Sequence, residues 1–444
     1  MSIVDLIIKK RNGKSLDDKE IRFFIKSVEE GSIEDYQISA MLMAIYFRGM
    51  DSREIAVMTG EMAKSGDILS FDNVIGPIVD KHSSGGVGDK TSLIIAPIVA
   101  ANGLPIAKLS GRGLGFTGGT VDKLESIPGF RTELGEDEFK KFVAKDGIAI
   151  IGQSANIAPV DKKLYALRDV TGTVDSIPLI AASIMSKKLA DGSDSIVLDV
   201  KVGSGAFMKT LDEAVELAKI MVGIGEDNGK TTLALVTDMD QPLGSAVGNS
   251  LEVIEAIEAL KGEGPEDLLE ECGQLASAML IEGGKAENLD EAKKLVDKVI
   301  RDGSGLDKFK AMVRNQGGDV SYIENTDKFP KAKFVLEARA KKSAYVTGIN
   351  AEDIGKSSLI LGAGRERTQD RIDHSVGLRI FKKVSDRVEE GELLFKIYAN
   401  DETKGKEALE KALAAYDFSP NQPEVRKSPV YCFVSKEGVK QAHD

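Results

Sequence analysis

Asp80-Lys81-His82-Ser83-Ser84-Gly85-Gly86-Val87-Gly88-Asp89-Lys90-Thr91-Ser92 follows a short apolar run, Ile75 to Val79, and leads into the apolar stretch from Leu93. A strand, a glycine turn and a helix in that order form a place where an anion is held. Glycines let backbone N–H groups point inward, and the helix N-terminus adds partial positive charge. Lys81 brings a full charge, and Ser83 and Ser92 bring hydroxyl donors. The competing reading of this stretch alone is a glycine-rich turn with solvated polar residues.

The same rhythm continues outward. Apolar runs at Gly147 to Ile151, Ser195 to Val200 and Thr232 to Thr237 alternate with helical stretches, which predicts a largely parallel sheet. In such sheets ligands sit beyond the C-terminal strand ends. Toward the N-terminus the pattern is all helical: one helix before Gly13, one after the capping pattern Asp17 to Glu20, one after Ser32, and one from about Ser52 to Lys64. Toward the C-terminus, a Lys-rich stretch between Asp319 and Ala344 reads as a connection to a third unit. The expected fold class is therefore α/β. A small all-helical domain (1–65, joined in space by about 161–190) accompanies a larger α/β domain (74–160 and 191–330) with a mixed, largely parallel sheet. A C-terminal α+β subdomain (345–444) follows.

A second loop, Ser110-Gly111-Arg112-Gly113-Leu114-Gly115-Phe116-Thr117-Gly118-Gly119-Thr120, also follows a short strand. Gly113, Gly115 and Gly118 fit a dinucleotide fingerprint by spacing alone. That fingerprint opens a full crossover helix, whereas Pro128 and Gly129 stop any helix here. Two hydroxyl-bearing glycine loops converging on one phosphate is the alternative to two unrelated turns. Further on, Arg168 supplies a planar donor fork, and Ser183 and Lys187, four residues apart, share one helical face. Together they suit a flat heterocycle with carbonyl oxygens, and apart they read as a solvated face. Asp199-Val200-Lys201-Val202-Gly203 ends another strand and either lines the same cleft or is structural. His82 is the one histidine within these loops, His374 and His443 lying far along the chain. It is the candidate for a group titrating near neutrality.

Composition narrows the partners. A net charge of −12 over 444 residues argues against nucleic acid, which needs a basic surface. The most apolar stretch, Leu93 to Ala107, holds Pro97, Asn102 and Pro105 and is too short for a membrane span. Two cysteines, Cys272 and Cys432, make no disulfide framework, and the expected setting is a reducing cytoplasm.

Taken together, Asp80 to Ser92, Ser110 to Phe130, Val174 to Lys188, Gly362 to Arg365 and Asp373 to Gly377 resemble the thymidine and pyrimidine nucleoside phosphorylases, over nearly the whole chain. The resemblance implies a homodimer with an active site between the helical and α/β domains and no organic cofactor. It implies phosphorolysis of uridine, thymidine and deoxyuridine by inorganic phosphate. By position, Lys81, Ser83, Ser92, Ser110 and Thr120 match the phosphate ligands. His82, Arg168, Ser183 and Lys187 match the base-binding residues, with Arg168 and Lys187 stabilising the charge on the departing base and His82 the candidate to donate a proton to it. Lys108 stands where broad pyrimidine enzymes carry lysine and thymidine-specific ones methionine. The resemblance also implies a potassium ion held at Gly88, Lys90, Leu243, Ala246 and Glu255. Three positions depart from the family: Phe116 in place of histidine, and Ser84 and Lys90 in place of threonine. The last brings an ammonium that would repel or replace the ion. Anthranilate phosphoribosyltransferase has a related architecture, and a non-catalytic nucleoside- or phosphate-binding protein is the reading from another class.

Overall fold

The computed structural model describes all residues except Leu114, Ala155, Glu366, Thr368, Gln369, Val425, Lys427, His443 and Asp444. Leu114 of the second glycine loop and His443 thus lie outside the described residues.

Helices α1 (Ile3–Arg11), α2 (Asp18–Glu29), α3 (Asp35–Arg48) and α4 (Ser52–Lys64) open the chain. The start of α2 is fixed by reciprocal capping, Glu20 N donating to Asp17 at 2.9 Å and Asp17 N to Glu20 at 2.7 Å. Asp51 and Glu54 repeat the device at α4. Glu54 is buried and also accepts Lys10 Nζ at 2.8 Å and Leu16 N at 2.7 Å, which binds α1 to α4.

Strands and helices then alternate: β1 (Val79–Ser83), α5 (Thr91–Ala101), β2 (Ile106–Ser110), α6 (Thr120–Leu124), α7 (Glu136–Asp146), β3 (Ile148–Gly152), α8 (Pro159–Thr171), α9 (Ile177–Ala190), β4 (Ser195–Val202), α10 (Leu211–Asp227), β5 (Thr231–Asp238), β6 (Ala246–Val247), α11 (Asn249–Leu260) and α12 (Glu266–Glu282). Helices α8 and α9 contribute Val160, Leu164, Leu179 and Ala182 to the apolar core that Phe24, Ile38, Met41 and Met58 build among the first four helices. Strands β1, β4 and β5 are parallel neighbours, as are β2 and β3.

The first strand lies later than its apolar run predicts. Ile75 is exposed, Pro77 has no N–H to offer a ladder, and Ile78 N donates to the Asp194 side chain at 2.9 Å. Pairing begins at Val79 and runs to Ser83, which faces Asp199 of β4. Lys81, His82 and Ser83 therefore project from the end of a strand rather than from a loop.

The remaining strands are β7 (Phe334–Arg339), β8 (Ala344–Ile349), β9 (Gly377–Ile380), β10 (Arg387–Val388), β11 (Leu393–Ala399), β12 (Tyr416–Ser419), β13 (Val430–Ser435) and β14 (Gly438–Gln441). They form one sheet in the order β6-β9-β11-β7 and another in the order β10-β8-β12. The Lys-rich connection thus contains a strand, β7, antiparallel to β11. Its Phe334 and Val335 are exposed, so no buried alternation marks it in the sequence. The end of the chain leaves the third unit: β13 pairs antiparallel with β5, and β14 folds back on β13. These two strands make the main sheet mixed. Among the described residues no helix is long and apolar enough to cross a membrane.

Candidate active site

At the end of β1 the Lys81 ammonium is buried, 2.8 Å from Asp199 Oδ2, and donates to Thr91 Oγ1 at 2.6 Å. Asp89 accepts from Ser83 Oγ at 2.5 Å and from Thr91 Oγ1 at 2.6 Å. Burial would raise the Asp89 carboxyl, but Lys81, Lys201 and Lys123 outweigh it and hold that group well below the carboxylate range. Burial likewise opposes charge on Lys81, and Asp199 and Asp89 overcome it, keeping the ammonium protonated. Ser92 sits buried in the first turn of α5, where helix N–H groups favour an anion. A fixed cation, two hydroxyls and a helix N-terminus thus meet around one turn.

The second loop is held backbone to backbone. A Cβ on Gly119 would fall 2.1 Å from Gly113 N, a distance only glycine permits. Asp122 closes the loop by accepting Gly113 N at 2.7 Å and Arg365 at 2.8 Å, so the loop is anchored to the C-terminal unit as well. Ser110 ends β2 and Thr120 begins α6. Helix α6 spans five residues, which removes the dinucleotide reading. From it Lys123 donates to Asp89 O at 2.5 Å and pairs with Glu252 at 2.8 Å, which joins the second loop to the first. Phe116 packs on the helix Ala351–Leu361, where a Cβ on Gly355 would meet its ring at 3.1 Å.

On the helical side, Arg168 is buried and donates to the carbonyls of Thr173 at 3.2 Å, Leu179 at 3.0 Å and Val174 at 2.5 Å. It thereby holds the α8–α9 corner. Lys187 donates to Asp161 at 2.6 Å and to Ser183 Oγ at 3.1 Å, bringing three side chains of α8 and α9 together. The next residue, Lys188, points to the sheet side and reaches Asp80 at 2.5 Å and Asp191 at 2.8 Å. Lys108 of β2 donates to Lys81 O and lies 3.5 Å from Asp80 Oδ1. It is buried, and this burial brings it down to about 8 although Asp80 opposes the shift.

His82 follows Lys81 on β1, where it pairs with Leu198 of β4. Burial, then the charges of Lys188, Lys108, Lys187 and Lys81, push the imidazole well below its ordinary value. The expectation that it titrates near neutrality is corrected: a half-buried imidazole among four ammonium groups stays neutral and offers an N–H donor. The same field shows that Lys187 of the helical side and Lys81 of the sheet side both act on one ring.

Sequence reading passed over Asp80, Asp161, Lys188, Asp191, Lys123 and Glu271. Lys201 and Asp199, read only as candidate lining, form a buried cluster: Lys201 Nζ is 3.0 Å from Asp199 and hydrogen-bonds Glu271 of α12. The available signal was charge inside apolar strands. Lys108, Asp199 and Lys201 are buried in strands whose other residues are mostly apolar, whereas Asp80 stands in the mainly polar β1 and carried no such signal.

The potassium expectation meets an obstacle. Lys90 Nζ donates to Leu243 O at 2.9 Å, Ala246 O at 3.0 Å and Glu255 Oε2 at 2.6 Å. An ammonium has no lone pair to give a metal, so Lys90 does not fit a ligand's role. It points its charge among the oxygens expected to hold the ion, and the residues present do not fit a potassium site.

Profiles of known families match in chain order: "Glycosyl transferase family, helical bundle domain" at residues 4–66, "Glycosyl transferase family, a/b domain" at 75–306, and "Pyrimidine nucleoside phosphorylase C-terminal domain" at 345–419. The pyrimidine-nucleoside phosphorylase of Bacillus subtilis (strain 168) is 55% identical over 402 residues, covering 90% of this chain and 93% of the relative. This chain belongs to the pyrimidine-nucleoside phosphorylase family. The enzyme of that name from Staphylococcus haemolyticus (strain JCSC1435) is 54% identical over 402 residues, with 90% and 93% covered. Among solved structures, anthranilate phosphoribosyltransferase from Thermus thermophilus superposes with a TM-score of 0.58 at 20% identity, covering 70% of this chain and 98% of that one. That likeness is one of fold. The phosphorylase family is a family of enzymes, and the paired glycine loops and the Arg168–Lys187 corner are this member's candidate site.

Proposed function

We propose that this chain catalyses the reversible phosphorolysis of uridine, thymidine and deoxyuridine to free base and ribose or deoxyribose 1-phosphate. The observation that carries the reading is a pair of fixed ammonium groups on two sets of elements: Lys81 at the glycine turn, 2.8 Å from Asp199 and 2.6 Å from Thr91 Oγ1, and Lys187 on the helical side, 2.6 Å from Asp161.

Phosphate held by Lys81, Ser83, Ser92, Ser110 and Thr120 attacks C1′ of the sugar. The bond from C1′ to the pyrimidine nitrogen breaks, and its electron pair leaves with the base. Arg168 and Lys187 stabilise that negative charge, and Ser183 and the neutral His82 hydrogen-bond the base. The attacking hydrogen phosphate loses its proton as the bond to C1′ forms, the departing base nitrogen takes one up through solvent, and no side chain is covalently modified. The phosphate ligands lie on β1, β2, α5 and α6, and the base ligands Arg168, Ser183 and Lys187 lie on α8 and α9, with His82 reaching the base from β1, so domain closure brings the reactants into line. Lys108, a lysine where thymidine-specific enzymes carry methionine, supports use of both uridine and thymidine. Exposed apolar side chains on α1 and α3, Val4, Ile8, Tyr36 and Phe47, support a homodimer formed through the helical domain.

The deciding experiment measures release of uracil and thymine from uridine and thymidine with and without phosphate, with cytidine and Lys81→Ala as controls. Release of both bases that needs phosphate and is lost in Lys81→Ala is expected. Thymine alone removes the use made of Lys108. No release, with nucleoside still bound, returns the chain to a binding role.

A further inference from the structure

Lys90 occupies the N-cap position of α5, one residue after Asp89 and two before Ser92, with its side chain turned away from the helix N–H groups. Its side chain is fully buried. Lys81, Lys188 and Lys201, also buried in this region, each meet two carboxylates, but Lys90 meets two neutral carbonyls and one carboxylate oxygen, at 2.9, 3.0 and 2.6 Å. Carbonyls plus a carboxylate form the donor set of a hard monovalent cation. Ammonium carries the same single charge and bonds to oxygen over similar distances.

The surroundings are fitted to that cation. Ser245 N and Ala246 N donate to the Glu255 carboxylate at 3.0 and 3.1 Å and fix its direction. Gly88 and Gly244 both have positive φ, and both let the backbone close in: a Cβ on Gly88 would lie 2.6 Å from Leu243 O, and one on Gly244 2.5 Å from Glu255 Oε2. Burial works against the Lys90 charge, yet Glu255 and Glu252 hold its ammonium above the ordinary lysine value. The three partners come from the β5–β6 segment and α11, and β6 pairs with β9 of the C-terminal unit. The ammonium therefore fastens the anion turn to the junction of two units.

We propose that Lys90 is a tethered cation that takes the place of a dissociable monovalent ion, making both the folded stability and the turnover of this enzyme independent of alkali-metal concentration. A covalently attached charge cannot be diluted or exchanged, so occupancy does not vary with salt composition. The turnover half rests on the phosphorylase reading above, whereas the stability half does not.

The test compares wild type and Lys90→Thr, which restores a hydroxyl oxygen and removes the charge, in potassium chloride and in N-methylglucamine chloride at equal ionic strength. Thermal midpoint and uridine phosphorolysis are both read. Wild type is expected to give the same midpoint and rate in the two salts. Lys90→Thr is expected to lose several degrees and most of its rate in N-methylglucamine and to regain both in potassium. A wild-type midpoint that rises with potassium overturns the proposal. So does a Lys90→Thr midpoint equally low in both salts, the result for an ordinary buried ion pair. If the variant does not fold, wild-type crystals soaked in rubidium chloride decide: an anomalous peak beside Glu255 refutes the tethered cation, and none supports it. The midpoint and the crystal read Lys90 even if uridine proves not to be a substrate.

Discussion

Lys187 Nζ lies 2.6 Å from Asp161 Oδ2, across the corner between α9 and α8. The pair fixes where the ammonium points, because Ser183 Oγ, one helical turn earlier at 3.1 Å, constrains it from a second side. A cation held in position is what charge developing on a leaving base requires. Lys187→Met is expected to lower kcat by roughly 10²- to 10³-fold, the usual cost of removing one preorganised donor. The KM for phosphate is expected to change little, since its ligands lie on other elements. Steady-state kinetics with uridine and phosphate varied separately checks this, and a loss confined to the phosphate KM would remove Lys187 from the base side.

His82 should leave no mark on the pH profile near its ordinary value of about 6.5. Its folded value is depressed by burial and by Lys188, Lys108, Lys187 and Lys81. The ring is then neutral throughout the working range, and kcat/KM is expected to show no limb there. As pH falls, the unfolded chain binds the proton before the folded one does. The contribution of His82 is full above about pH 6.5 and declines toward the depressed folded value. A limb near pH 6.5 that vanishes in His82→Asn would instead make the imidazolium a general acid.

Lys108 carries the opposite experimental signature. Its ammonium titrates at about 8 in the folded chain, below the ordinary lysine value of 10.5, because it is buried. Activity that uses the charged form is expected to fall as pH rises through that value, and Lys108→Met should lack the limb. Stability moves the other way. Between the two values the unfolded chain holds more protons, so this group's contribution grows as pH rises across that window. The difference between wild type and Lys108→Met in urea unfolding at several pH values isolates it. A difference that shrinks with rising pH would place the Lys108 titration elsewhere.

Loops and helix starts were legible in the sequence because their causes are local. Asp17 and Glu20 cap α2 as their spacing predicts, and Gly113 and Gly119 are glycines because the backbone passes through the space of a Cβ. What was not legible depends on partners far along the chain. Lys188 finds Asp80 across 108 residues, Lys90 finds Glu255 across 165, and β13 returns to β5 after the whole C-terminal unit has intervened. Position matching placed Lys90 at a metal site, but only the folded arrangement shows its own charge directed there. For β7 the hidden cause is exposure: a strand that buries little leaves no alternation to read.

Lys188 offers the most direct check of the buried charge cluster. It sits between Asp80 and Asp191, all three buried, and is held protonated by both carboxylates against the pull of burial. Removing one member of such a group strands the others, at a cost of about 3 to 5 kcal/mol. Lys188→Met is expected to lose stability on that scale in urea unfolding, and adding Asp191→Asn should recover part of it by removing one stranded charge. Because Lys188 acts on His82 more strongly than the other three ammonium groups do, the same variant should also move that imidazole upward toward its ordinary value. An NMR titration of the His82 ring reads this directly. A loss of stability with an unmoved His82 would mean that the cluster holds the fold together without setting the charge of the ring.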